Sequence, residues 1–360
     1  MITIAWIGFC QSLFAGILMF AKKENSLPDK ILSGWLILLS IDFLSCGLNY
    51  EIFNRPLLIS SFLLFNPALF LYISSLTRPE FRLRWLHLFH LLPFIFFGTY
   101  TYLIKEPFSL DTFFQKDEHY IFRIIFAFAN IISWCVYNPL SLVLVHKHRM
   151  HLHDELSNID KNENLGWVLA VAIFYVVYCI LGLLISIITI LGKINPLTPH
   201  FYNYLTLLVL IYVISFYGLR QKVVSKLFLV DEPLTLTPYK NSNLTPEIKE
   251  IIKQKIIDYF EKEKAYLNSD LNMIILSDSL KIPKYQITEV LSTELGNNFF
   301  QFVNIYRVEA VKEMLADTKN KFSIEAIGYD CGFSSKSSFY SVFKSITGET
   351  PVSFRSKILH

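Results

Sequence analysis

Charge is what this 360-residue chain has least of: Asp, Glu, Lys and Arg together make up 18% of it, while 53% is hydrophobic. A soluble protein of this size carries nearer to a quarter of its residues as charged groups. The shortage therefore excludes an ordinary soluble domain over the full length. Cysteine is also sparse. The five residues Cys10, Cys46, Cys135, Cys179 and Cys331 are widely scattered, and the first four lie in apolar runs. They read as small apolar fillers and exclude a disulfide framework or a zinc site. The short motifs of common catalytic chemistry are missing too, with no Walker loop, no Gly-x-Gly-x-x-Gly and no His-Glu-x-x-His. The chain is not expected to be an enzyme or to need a cofactor.

What is abundant is apolar length, concentrated before residue 220. Runs at roughly 3–21, 31–50, 56–76, 85–104, 122–145, 166–191 and 201–219 each approach the ~20 residues that cross a bilayer. Core helices of a soluble protein are seldom apolar all round for so long, so seven in succession predict a seven-helix transmembrane domain over 1–225. The first run has no basic leader and no clear cleavage site after it, and is expected to stay as a span. Loop charge sets the orientation. With the amino terminus outside, inner loops hold Lys22, Lys23, Lys30, Arg78, Arg82, Arg84, Lys147, Arg149, Lys161, Arg220, Lys222 and Lys226. Outer loops hold only Arg55, Lys105, Lys116 and Lys193, with Arg123 near a boundary. The positive-inside rule then predicts a membrane protein with its carboxyl-terminal part in the cytoplasm.

The end of the chain is of another kind. From Ser323 to Arg355 it reads helix, tight turn, helix and a Pro-led helix start, the layout of a helix-turn-helix DNA reader. Ile324 and Ile327 share one face, Gly332 suits the turn, and Ser335 is placed to cap a helix with apolar Phe339, Phe343 and Ile346. Lys336, Ser337, Tyr340, Ser341 and Lys344 fall off that stripe and are candidate DNA-binding residues. Gly348 suits a helix stop, and Thr350-Pro351 a new start. Those positions, with Phe333 and Arg355, resemble the second helix-turn-helix of the AraC/XylS family of bacterial transcription regulators. Gly328 departs from the Ala usual there.

The resemblance implies a second, earlier unit, and about 271–296 fits it. Leu276, Leu280 and Ile282 form one apolar set, Pro283 opens a helix, and Ile287, Val290 and Leu291 face inward. Lys284, Gln286, Thr288, Glu289 and Ser292 are left as groove-facing candidates. Ser277, Lys281 and Leu291 stand where the family commonly has Ala, Gly and Phe. A long connecting helix follows, in which Arg307 matches the family's Arg. The implied fold class is all-α: seven transmembrane helices, a linker at 226–245, and an AraC-type DNA-binding domain at 246–360 with units at about 271–296 and 323–347. The helix opened by Thr245-Pro246 carries Ile248, Ile252, Ile256 and Tyr259 on one side, for packing on this domain or for a homodimer.

Two further groups carry chemistry. His146, His148, His151 and His153 beside Asp154 and Glu155 have a spacing that could hold a metal, but in a cytoplasmic loop they read first as a solvated face. No metal is assigned. Asp42, mid-span, and Asn49, Asn66, Asn130 and Asn138 are polar at membrane depth, where such groups are costly. Asn66-Pro67 and Asn138-Pro139 add hinge-like steps. They serve either as helix–helix glue or as signal-sensing residues, with Asp42, Asn66, Asn130 and Asn138 the candidates.

From Asp231 to His360 there are sixteen Lys and Arg against seventeen Asp and Glu, so strong non-specific DNA binding is not expected. The expected function is a membrane-anchored transcription regulator. Its partners would be double-stranded promoter DNA, RNA polymerase, the lipid bilayer and a small-molecule or envelope signal. The alternative is a membrane transporter or intramembrane enzyme with a regulatory helix-turn-helix tail. It would call for inverted repeats or paired charges in several spans, and Asp42 stands almost alone.

Overall fold

The computed structural model describes residues 1–360 apart from 24, 79, 111, 161–162, 193, 223–243, 318–320 and 360. The linker expected at 226–245 lies, but for its last two residues, outside the described residues. Among the described residues the chain is helical with no strand, and isolated bridges join Leu57 to Pro107 and Leu156 to Asn272. It divides into two compact units, Met1–Lys147 with Leu165–Val224, and His148–Asn164 with Ser225–His360. The sequence places one break near 225. The structure also gives the stretch His148–Asn164 to the second unit.

The first unit holds α1 (Ile2–Phe20), α2 (Leu27–Phe53), α3 (Phe62–Thr77), a 3-10 turn (Trp85–Leu91) running into α4 (Leu92–Ile104), most of α5 (Tyr120–Glu155), α6 (Gly166–Ile190) and α7 (Thr198–Arg220). Local signals start several of them. Ser26 and Asp29 form a reciprocal capping box on α2, and Pro199 opens α7. Six helices, counting the 3-10 turn with α4, are long and apolar enough to cross a membrane. Large apolar side chains point outward from them, among them Phe14, Leu103, Ile121 and Phe128, each more than half exposed.

The seventh expected span is shorter than its apolar run. The helix α3 has sixteen residues, about 24 Å of rise against a hydrocarbon core of about 30 Å. Its run was expected to begin at 56, but residues 56–61 stay out of the helix. The Leu58 amide donates to the Glu106 carbonyl at 3.0 Å, and the Phe108 amide donates to the Pro56 carbonyl at 2.9 Å. The Thr101 hydroxyl donates to the Leu58 carbonyl at 2.9 Å. This end of the unit closes over Leu58, Leu63, Phe97, Leu110, Phe113 and Phe126. Buried Arg123 is satisfied there by Glu106 and Asp117, each at 2.8 Å, and by the Phe113 and Gln115 carbonyls. At the opposite end, Lys22 donates to Asp29 at 2.8 Å and to the Gln221 carbonyl at 2.7 Å, while Trp167 donates to the Gln221 side chain.

The second unit holds α8 (Pro246–Lys262), α9 (Met273–Leu280), α10 (Lys284–Thr293), α11 (Phe299–Ala316), α12 (Ile324–Asp330), α13 (Lys336–Thr347) and α14 (Pro351–Leu359). Side-chain caps fix most of the starts: Thr245 on α8, Asn272 on α9, Asn298 on α11, Ser323 on α12 and Ser335 on α13. Two cores form along α11. Ile252, Ile256 and Phe260 of α8 join Leu276, Ile287, Val290 and Phe302 in one. Val311, Ile327, Phe333, Phe339 and Phe343 make the other. The helix after Thr245 thus packs on the rest of the second unit, with Ile248 exposed.

Two family departures acquire reasons. Lys281 ends α9 at φ +55°, so a Lys takes the left-handed position that favours glycine. Ser277 turns its hydroxyl to the Ile282 carbonyl at 2.7 Å. Gly332 has φ +90°, and a Cβ there would lie 2.3 Å from the Tyr266 carbonyl oxygen, so neither conformation nor space admits a side chain. Gly332→Ala is expected to destabilise the second unit by about 2 kcal/mol. Fully buried Cys331 reports it: in urea its maleimide labelling, read by peptide mass, should begin at lower denaturant than in wild type.

Candidate nucleic-acid interface

Helix α13 is amphipathic because Phe339, Val342 and Phe343 turn inward. Val342 takes the buried place expected for Ile346, which is 41% exposed. The opposite face gathers the residues proposed to read DNA. Lys336, Ser337, Ser341 and Lys344 are exposed and Tyr340 is half-buried. Ser335 caps the helix by accepting from the Ser338 amide at 3.2 Å, which leaves Lys336 and Ser337 in the first turn beside free amide donors. The Lys336 ammonium pairs with Glu325 of α12 at 2.7 Å and lies 5.5 Å from the centre of the Tyr340 ring. The Tyr340 hydroxyl donates to the same carboxylate at 3.3 Å. The Lys336 partner holds Glu325 below the usual carboxylate range and raises Lys336, so the lysine stays charged. An exposed pair of this kind is worth little and exchanges readily for a phosphate.

Two further basic residues near α13 are also engaged. Lys357 pairs with Glu349 at 2.9 Å and Arg355 donates to the Phe322 carbonyl at 3.1 Å.

The earlier helix-turn-helix, at about 271–296, differs from its sequence reading. Glu289, expected to face the groove, is buried and ion-paired with Lys249 of α8 at 2.8 Å, because α8 covers that side of α10. The Thr288 hydroxyl is turned to the Lys284 carbonyl at 3.0 Å, and Gln286 is half-buried with its amide on the Tyr285 hydroxyl. Lys284 keeps its place at the start of α10, where its ammonium meets both Glu155 oxygens at 3.0 and 3.1 Å. Sequence reasoning passed over Tyr285, which is 53% exposed in the first turn. Its place next to Lys284, off the Ile287-Val290-Leu291 stripe, was the available signal.

The sensing candidates separate in the first unit. Asp42 accepts from the Ser61 hydroxyl at 2.7 Å, and Asn130 accepts from the neighbouring Ser60. Asn66 instead donates to the Ser133 hydroxyl at 2.8 Å, and Asn138 donates to the Cys179 sulfur at 3.6 Å. Ser60, Ser61 and Asn130 line a cavity of about 210 Å³, together with His200, Tyr202 and Asn203, none of which sequence reasoning singled out. Its remaining walls are mainly aliphatic and aromatic, with Phe62, Phe108, Phe113 and Trp134 among them.

The histidine cluster lies on the last turns of α5, not in a loop, since that helix runs ten residues past its expected end at 145. His148 is bonded to the Glu163 carbonyl at 2.8 Å and His153 packs against the Phe300 ring. Among the described residues no three His, Cys, Asp or Glu side chains converge as a metal site.

Comparison with known proteins bears on the second unit. No curated protein matches the chain. A solved structure described as that of a protein with unknown function from Listeria innocua is 28% identical, over 29% of this chain and 95% of its own, with a TM-score of 0.27. Residues 276–357 match the family model described as a helix-turn-helix domain, the stretch in which α10 and α13 stand as the second helices of two such units.

Proposed function

We propose that the chain is a membrane-anchored, sequence-specific DNA-binding transcription regulator of the AraC type. One observation carries the reading: α13 presents Lys336, Ser337, Ser341 and Lys344 outward from a helix that is capped, fixed by a positive-φ turn and rooted in its own core. That is the presentation a major-groove reader needs, with its first turn available to base edges and later positions to phosphates. Promoter DNA and RNA polymerase are its partners in this reading, and a homodimer would double the contact.

The six long apolar helices, α3 and the loop charges support a seven-span bilayer anchor with the amino terminus outside and the helix-turn-helix domain in the cytoplasm. The cavity beside Ser60 and Ser61 is the proposed signal site. Its aromatic walls suit a ligand with an apolar body, and Asn130, Asn203 and the two serines suit one neutral hydrogen-bonding group on it. Asp42 reaches the site through Ser61. A ligand acts by favouring one of two helix packings.

Three outcomes are expected. Reporter fusions should signal from the cytoplasm after Lys222 and from outside within 105–119, and an external signal after Lys222 sinks the seven-span topology. With the full chain in lipid nanodiscs and a duplex selected from random sequence, Lys336→Ala and Ser337→Ala should each weaken the selected site by roughly 1–3 kcal/mol. Lys344→Ala should weaken all duplexes alike and flatten the salt dependence by about one ion. Unchanged binding by Lys336→Ala would remove α13 as the reader. Asp42→Asn, at equal amounts in the membrane, should alter signal-dependent transcription, whereas an identical response would make Asp42 purely structural.

A further inference from the structure

The second unit contains a segment that its sequence position gives no reason to expect there. Residues 155–158, the last residue of α5 and the three that follow it, are built into the helix-turn-helix fold. Leu156 is buried and bridges Asn272, the cap of α9. Ser157 is fully buried: its carbonyl accepts from Arg307 Nη1 at 3.0 Å and from Asn304 at 3.1 Å. Its hydroxyl accepts from Arg307 Nη2 at 3.0 Å and donates to the Leu271 carbonyl at 2.5 Å. Asn158 donates to the Ser269 carbonyl at 2.7 Å and to the Gly332 carbonyl at 2.9 Å. Four consecutive residues thus touch the cap of α9, the first residue of α10, the centre of α11 and the turn before α13.

Glu155 is the member with a consequence for DNA. Its carboxylate holds the ammonium of Lys284, the residue that opens α10, and both groups are largely sheltered from water. A lysine engaged by a carboxylate cannot neutralise a phosphate at the same time. The Ser157 contacts act differently, since they supply two of the four hydrogen-bond acceptors around the buried Arg307 guanidinium.

We propose that residues 155–158 are an intramolecular clasp, anchored by Ser157 on Arg307, whose Glu155 competes with DNA for Lys284. Glu155 is the last residue of α5, on the stretch that belongs to the second unit. The inference rests on the DNA-binding reading above.

The test uses the full chain in lipid nanodiscs and the duplex it selects from random sequence, titrated at several salt concentrations. Glu155→Gln should bind about two- to fivefold tighter, the range one such ion pair commands. Its affinity should also fall more steeply with salt, by about one released counterion, because Lys284 becomes free for a phosphate. In a Lys284→Gln background the same substitution should change neither quantity. Glu155→Ala is the second variant, and protection of Cys331 from maleimide certifies the fold of each. Equal affinity and equal salt slope for wild type and both Glu155 variants would overturn the clasp, as would weaker binding, which marks the segment as a brace alone. If the wild type selects no duplex, the DNA-binding reading itself falls, and the clasp with it.

Discussion

A guanidinium without access to water organises the second unit. Arg307 is fully buried at the middle of α11, between the two cores. Burial lowers its pKa to about 10, so at neutral pH it is still a cation and every donor must find an acceptor. Those acceptors are backbone oxygens of Tyr266, Asn268 and Ser157 and the Ser157 hydroxyl, and the Phe333 ring lies alongside. The arrangement ties three stretches far apart in sequence, at 157, 266–268 and 333, to one charge. It also explains why Gly332 has no room for a side chain, since a Cβ there would stand 2.9 Å from Arg307 Nε. The held turn at Gly332 works with the Ser335 cap and the core of Phe339 and Phe343 to fix α13.

The first unit obeys the converse constraint. Its outward surface is apolar, so its polar groups turn inward and pair with one another: Asp42 with Ser61, Asn130 with Ser60, Asn66 with Ser133. Such pairing holds helices in register in hydrocarbon, where an unpaired polar group is costly. Of these, Ser60, Ser61 and Asn130 also line the cavity.

The parts legible in sequence were those decided within a few residues. Ser335 and Thr350 as caps, Gly332 and Gly348 at positive φ, and the Phe339–Phe343 stripe are local requirements, and the structure has each of them. The parts missed were decided from far away. Glu289 looks like a solvated helix residue until α8, some forty positions earlier, closes over it with Lys249. Residues 56–61 look like the start of a span until 106–108 pair with them. The stretch Leu156-Ser157-Asn158 has no periodicity and no motif, and its role exists only through Arg307, about 150 positions later. His200 and Asn203 were hidden for the same reason, as single polar residues in an apolar helix that only packing brings to the cavity.

We propose that this chain reads specific DNA from the membrane. The most direct measurement is sequencing of the DNA crosslinked to the full-length chain in cells and recovered with it from washed membranes. Discrete short segments upstream of genes, sharing one sequence pattern, are the expected result. Recovery of DNA spread evenly over the chromosome without a shared pattern, or of none in the membrane fraction, would contradict it.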